Sequence, residues 1–389
     1  MQYAHLVLAD GTCFKGIGVG SFAPTIDQLL QMHIGQAPCG EVVFNTTMGA
    51  YHEILTDPSY AGQMVTMTSA HIGNYGCDPS WDEMRLPIPA CRALIARDIY
   101  LGQVPPNRIP IDRMLKTWHM CAISEVDTRA ITLHIRDHGA SYGVLVRSDQ
   151  LDRNEITLIT DWLSTCPPME ERDLISEVIV PQITIEKSTG TPVARYALID
   201  FGVKRSIIKE LLARHIEVVV IPSSVPFDDI ICEDRHFDAV FLSNGPGDPA
   251  ILSDSIKRIR NLNGVLPIVG ICLGHQLIAH ALGAKTRKMS FGHHGGNQPV
   301  VDHFSNKVFV TAQNHGYCVD EHSLSKSTEV WFTNANDGTI EGIIDQRSCM
   351  ASVQFHPEAS PGPLDGRQIF DKFIEFITTH ARQESTSCR

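Results

Sequence analysis

The sequence predicts an α/β protein: a C-terminal domain built on a mostly parallel, doubly wound sheet, preceded by a smaller β-rich α/β domain. Three observations lead there. From Tyr196 onward, strand-like apolar runs alternate with helical spacings, the pattern of a parallel sheet covered on both faces. Before that point, short β-rich pieces are punctuated by Pro, Gly and Asn, with few long helical spacings. Finally, 389 residues with 43% hydrophobic and 20% charged content suffice for two or three domains, each with its own core.

In chain order, "HLVLADGTCFKG" places two apolar runs around Asp10-Gly11, a hairpin signal. "DQLLQMHIG" (27–35) suggests a short helix. Residues 41–76 alternate short strands with turns. Asp127 is a fitting N-cap for a helix over Thr128–His138 that stops near Gly139. Residues 151–193 read as a connector grouped with the first domain (1–150). It holds the helical "EITLITDWL" and then a polar, punctuated stretch. The second domain spans 194–381, and 382–389 form a C-terminal tail. Within the second domain the strands are "YALIDFG", "IEVVVIP", "FDAVFL", "PIVGIC", "KVFVTAQNHGYCV" and "MASVQF". Helices are expected over "VKRSIIKELLARH", 250–262, "LGHQLIAHALG" and "GRQIFDKFIEFITTH". "KRSIIKELLARH" is expected to present a solvated face rather than a binding patch.

Composition excludes several classes. A net charge of -12 with no basic run opposes a general nucleic-acid binder, which needs clustered Lys and Arg. The eleven cysteines are odd in number and irregularly spaced, with no Cys-x-x-Cys, so no disulfide framework or zinc knuckle is indicated. The start has no secretory pattern, and no apolar run approaches the ~20 residues that span a bilayer. A reducing cytoplasm is the expected setting.

The chemistry concentrates at three places. Gly270-Ile271-Cys272-Leu273-Gly274 has the form of a nucleophile elbow with cysteine as the nucleophile. The flanking glycines remove Cβ atoms that a sharp strand-to-helix turn cannot hold, and the helix N-terminus favours thiolate. "VQFHPEAS" puts His356 and Glu358 just after a strand. His356 suits a general base, and Glu358 can orient its ring. "LSNGPGDP" (242–249) supplies Gly245 and Gly247 in a loop at a strand's carboxyl end. A backbone N–H from that loop, with that of Leu273, could hold an oxyanion.

At these residues the chain resembles the class I (triad) glutamine amidotransferases, in "GICLGHQ", "SNGPGDP" and "HPE". The resemblance implies hydrolysis of glutamine's side-chain amide through a γ-glutamyl thioester on Cys272, with His356 moving the proton, Glu358 holding it, and Gly245 and Leu273 forming the oxyanion hole. The first half, in "EVVFNTTMGAYHEILTDPSYAGQ", "HIGNYG" and "VDTRAIT", together with "FGHHGGN", resembles the carbamoyl-phosphate synthetase small-subunit family. That resemblance implies glutamine contacts at Ser59, Gly245, Gly247, Leu273, Gln276, Asn314, Gly316 and Tyr317. It also implies a large-subunit partner that uses bicarbonate and two ATP, in a heterodimer that assembles further, for pyrimidine and arginine biosynthesis. ATP and Mg would then be needed by the holoenzyme on the large subunit, with no cofactor on this chain. Departures from the family pattern are "TTMGAYHE" (46–53), Tyr317 in place of phenylalanine, Gln298 in place of histidine, Glu125-Val126 before "DTR", and about a dozen extra residues around 24–36.

Two tempting motifs are set aside. In "GHHGG" (292–296), adjacent histidines point in different directions and no acidic ligand stands at a usual spacing, so no metal is expected. "GIGVG" (16–20) lacks the third glycine and helix of a dinucleotide fingerprint, and no phosphate-binding G-x-x-x-x-G-K-[ST] occurs.

Overall fold

The computed structural model describes residues 2–233 and 236–387. The chain divides into two compact units: 1–82 with 87–172, and 83–86 with 173–389.

In the first unit seven described strands close into a barrel. They are β1 (Tyr3–Leu8), β2 (Cys13–Gly20), β3 (Cys39–Asn45), β4 (Gln63–Ile72), β5 (Ala93–Ile99), β6 (Cys121–Ser124) and β7 (Ser141–Arg147), ordered β1-β2-β6-β5-β4-β3-β7. The hairpin around Asp10-Gly11 forms, with Val7 opposite Cys13. The helix Thr128–His138 also forms with the expected ends: Asp127 accepts from the Ala130 N–H at 3.0 Å, and Gly139 follows at φ 91°. The predicted helix over 27–35 is shorter. A single turn, Ile26–Leu29, is capped by Thr25, and a separate 3-10 turn covers Ile34–Gln36. Between them Gln31 and His33 are exposed and Met32 only partly buried against the core, too little burial to carry a continuous helix.

The second unit contains one sheet of ten described strands: β8 (Thr184–Glu186), β9 (Ala194–Asp200), β10 (Ile216–Pro222), β11 (Ala239–Leu242), β12 (Ile268–Ile271), β13 (Thr286–Asp302), β14 (Lys307–Val319), β15 (Glu329–Asn334), β16 (Ile340–Asp345) and β17 (Met350–Val353). Its centre, β10-β9-β11-β12-β17, is parallel throughout. β16, β15, β13 and β14 extend it antiparallel on one side and β8 on the other.

Helices cover both faces of that centre. On one, Phe241 packs against Phe370 and Phe373 of the closing helix, centroids 6.4 and 6.2 Å away. On the other, Gly274 and Ile278 of helix Leu273–Ala281 lie against Leu242 and Gly270. Successive strand residues therefore face opposite layers.

The connector expected over 151–193 does not stay together. Helix Arg153–Ser164 buries Ile159 and Leu163 in a cluster with Val7, Leu29, Cys39 and Val144 of the first unit. Residues from 173 join the second unit, where β8 pairs with β10. Each piece follows the core that buries its own apolar residues. The segment 83–86 also belongs to the second unit, anchored by Glu83 on the Ser206 hydroxyl at 2.5 Å and the Arg205 N–H at 2.8 Å. The expected tail 382–389 is helical as far as described, because the closing helix runs Gln368–Ser387. No Gly or Pro interrupts it. Residues 388–389, with Cys388, lie outside the described residues. Among the described residues, no helix is long and apolar enough to cross a membrane.

Candidate active site

Three parallel neighbours, β11, β12 and β17, end side by side, with Leu242 opposite Gly270 and Ile271 opposite Val353. Everything the sequence singles out in the second unit for catalysis leaves from these carboxyl ends, where sheets of this kind bind ligands. Cys272 follows β12, His356 and Glu358 follow β17, and the Gly245–Gly247 loop follows β11.

Cys272 occupies the turn itself, at φ 54° and ψ -105°, before helix Leu273–Ala281. A non-glycine residue at positive φ is a strained backbone, and the surroundings hold it in place. Its N–H donates to Val353 O at 2.9 Å, and the Gly274 N–H to Ser243 O at 3.1 Å. The turn is too tight for side chains on either flank. A Cβ on Gly270 would stand 2.8 Å from the Gly274 carbonyl carbon, and one on Gly274 would stand 2.3 Å from the Leu242 oxygen. The Cys272 thiol is 2% exposed and donates weakly to Asn314 O at 3.6 Å.

His356 is fixed by an N–H bond to Ala312 O at 2.8 Å. Its Nδ1 lies 2.6 Å from Glu358 Oε1, with both side chains buried. Burial works against the charged ring, but Glu358 and then Cys272 overcome it and push His356 up to about 10. Among the described residues Nε2 has no hydrogen-bond partner of normal geometry, and catalytic hydrogen bonds often tighten only once substrate binds. Burial pushes Glu358 up, while Lys204 and then His356 pull it down to about 2. The arrangement can therefore keep a protonated imidazole between the Glu358 carboxylate and the Cys272 sulfur.

Residues 6–145 match the family described as "Carbamoyl-phosphate synthase small chain, CPSase domain", and residues 197–376 match "Glutamine amidotransferase class-I". The carbamoyl phosphate synthase small chain of Methanocaldococcus jannaschii is 41% identical over 372 residues, covering 96% of this chain and 98% of that one. The chain belongs to the carbamoyl phosphate synthase small-chain family. The small chains of Salmonella typhimurium and Escherichia coli are each 39% identical, covering 97% and 98% of this chain.

The residues that a small chain would use for glutamine fall as follows. Gln276 lies one turn beyond Cys272 and donates to Tyr317 O at 2.8 Å and Gln354 Oε1 at 3.0 Å. Asn314, Gly316 and Tyr317 share β14. The Asn314 side-chain oxygen is held by His294 Nδ1 at 2.9 Å. Ser59 belongs to the first unit, on a buried 3-10 turn Pro58–Tyr60 whose Asp57 caps the Ser59 N–H at 2.9 Å.

Sequence reasoning missed Lys204. It stands before helix Arg205–Ala213 in the segment expected to be a solvated face, yet it is buried. Its Nζ donates to Glu358 Oε1 at 2.9 Å and to Ala359 O at 2.7 Å. The available signal was its position: a lysine just past β9, at the same carboxyl edge as the elbow. His275, three residues after Cys272, is a second buried histidine, and burial pushes it down to about 3. It stays neutral and ties its helix to β17 through Ser352 Oγ at 2.9 Å.

Proposed function

We infer that this chain is the glutamine-hydrolysing subunit of a carbamoyl phosphate synthase. The observation that carries the reading is the intact Cys272–His356–Glu358 set on adjacent strand ends, in a chain alignable over 96% of its length with small chains. In this reading the Cys272 thiolate attacks the side-chain amide carbon of glutamine. The carbonyl electrons move onto oxygen, which the Gly245 and Leu273 N–H groups receive. As the C–N bond breaks, the imidazolium of His356 gives its proton to the departing nitrogen, which leaves as ammonia. Water, deprotonated by His356, then cleaves the γ-glutamyl thioester, releasing glutamate and restoring the thiolate–imidazolium pair. Glu358 stabilises the charged ring throughout, and Lys204 balances Glu358. Gln276, Asn314, Gly316 and Tyr317 hold the substrate, with Gly245 and Gly247.

Ammonia passes to a large subunit, where ATP and Mg act and bicarbonate becomes carbamoyl phosphate. Pyrimidine and arginine biosynthesis are the consuming pathways, in a cytoplasmic heterodimer. The test is glutamate release by the purified chain, alone and with a carbamoyl phosphate synthase large subunit, ATP and bicarbonate. A slow rate that rises in the complex, with matching carbamoyl phosphate, supports the reading. A fast rate indifferent to the partner would make the chain a free-standing γ-glutamyl hydrolase. Cys272→Ser should abolish glutamine-dependent synthesis by the complex and leave ammonium-dependent synthesis intact.

A further inference from the structure

Beside β14 lies a polar cluster that the hydrolytic reaction does not use. We propose that His293, His315 and Glu341 form a binding site for a divalent transition-metal ion of the zinc type. The three come from different strands, β13, β14 and β16, and all are buried. His293 and His315 are direct cross-strand partners, with rings 5.1 Å apart at 86°. One ligand atom from each residue lies within 4.8 Å of the others. Bonds of about 2.0–2.2 Å need these atoms roughly 3.3 Å apart, a closure that side-chain rotation can supply.

Three details favour a cation over a purely structural cluster. The first is Glu341, which is fully buried yet poorly satisfied. Among the described residues its Oε1 has only long contacts, to Asn334 Nδ2 and Thr339 Oγ1 at 3.4 Å each and His293 Nδ1 at 3.5 Å. Its Oε2 has no partner among the described residues. A buried carboxylate oxygen left without a partner is costly.

The second detail is the outward side of each ring. His293 Nε2 meets Asp337 Oδ2 at 3.0 Å, and His315 Nδ1 meets Tyr317 O at 2.8 Å. Metal-ligating histidines hold their second nitrogen on a carboxylate or a backbone carbonyl in the same way. That leaves His293 Nδ1 and His315 Nε2 as the ligand atoms.

The third detail is His315 Nε2, which stands 2.9 Å from Gln313 Oε1. That amide is oriented by its own bond from Nε2 to Thr311 Oγ1, whose hydroxyl donates to Gln298 O. Both His315 nitrogens thus face oxygen acceptors, and a neutral ring has one N–H to give. A cation on Nε2 resolves the conflict and takes Gln313 Oε1 as a further oxygen ligand.

Two imidazoles with a carboxylate and an amide oxygen suit zinc and its neighbours better than calcium or magnesium. The bound ion would pin β13, β14 and β16 together beside Asn314 and Gly316. The spacing argument against "GHHGG" fails because the acid arrives from β16, far along the chain. The two histidines do diverge, and only His293 enters the cluster, while His294 turns to Asn314.

The test is cobalt(II) titration of the full chain after chelator treatment, read by visible and near-ultraviolet absorption. The expected result is one cobalt per chain with a nitrogen–oxygen ligand spectrum and no thiolate charge-transfer band. Glu341→Gln should abolish binding. Asp337→Asn, which only orients His293, should weaken it by roughly 10- to 100-fold. Failure to bind cobalt, a thiolate band, or unchanged affinity in Glu341→Gln would overturn the proposal. If Glu341→Gln does not fold, the half-exposed Asp337 decides: unchanged affinity in Asp337→Asn overturns the site, and the expected weakening supports it.

Discussion

Replacing Gly274 with alanine tests whether the elbow's geometry comes from the absence of a side chain. The new Cβ would sit 2.3 Å from the Leu242 oxygen and 2.8 Å from its carbonyl carbon, where ordinary contacts start at 3.4 Å. The overlap is about 1 Å against backbone on a central strand, so neither partner can rotate away. Overpacking of this kind costs about 1–3 kcal/mol. In a unit of this size each kcal/mol lowers Tm by roughly 2–4 °C, so a fall of about 2–12 °C is expected. The helix must also move away from β11, carrying the Leu273 N–H off its aim. Losing one oxyanion donor costs roughly 100- to 1,000-fold in kcat. The assays are thermal unfolding and glutamate release, with ammonium-dependent synthesis by the complex as the control for assembly. Gly35→Ala, where an added Cβ meets nothing within 4 Å, should leave Tm unchanged or slightly raised. A Gly274→Ala protein with wild-type Tm and kcat within twofold of normal would refute the reasoning.

Two further outcomes follow from buried charge. Glu358 is held down to about 2 in the folded chain, so its contribution to stability is present above its ordinary value of about 4.5 and is lost as pH falls toward 2. Lys204→Met should therefore lower stability near neutrality by about 3–5 kcal/mol, the cost of breaking a buried pair. The gap should close as pH falls through that window, and parallel stability curves would count against the pairing. His275 is held down to about 3 by burial, below its ordinary 6.5, so wild-type stability drains as pH falls from 6.5 toward 3. In His275→Gln its share of that loss should disappear, so the slope becomes shallower, with urea midpoints between pH 4 and 7 as the measurement; an unchanged slope would mean the ring accepts its proton without unfolding.

What the sequence revealed was local. The cap at Asp127, the stop at Gly139, the hairpin at Asp10-Gly11 and the elbow at Cys272 all depend on neighbours within a few residues. Their types dictate backbone shape directly. His356 and Glu358 were legible because Pro357 sets them together just past a strand. What escaped depends on distant parts of the chain. Lys204 belongs with Glu358 only because β9 and β17 both lie in the parallel centre of the sheet. Glu341 meets His293 only because β15 pairs with both β13 and β16, and 83–86 goes to the second unit through contacts such as Glu83 with Ser206 and Arg85 with Asp200. No periodicity in the sequence records such pairings.

The closure of the first unit's barrel bears on how that unit can recognise another protein. With β1 paired to both β2 and β7, the ring has no terminal strand whose N–H and C=O groups await a partner. Extension by a foreign strand, a recurring mode of association whose affinity comes from main-chain hydrogen bonds, is therefore closed to it. Any protein that docks there must read side chains and loops, so selectivity rests on residue identity rather than on backbone shape. Drift in those exposed loops would change the partner without disturbing the ring beneath.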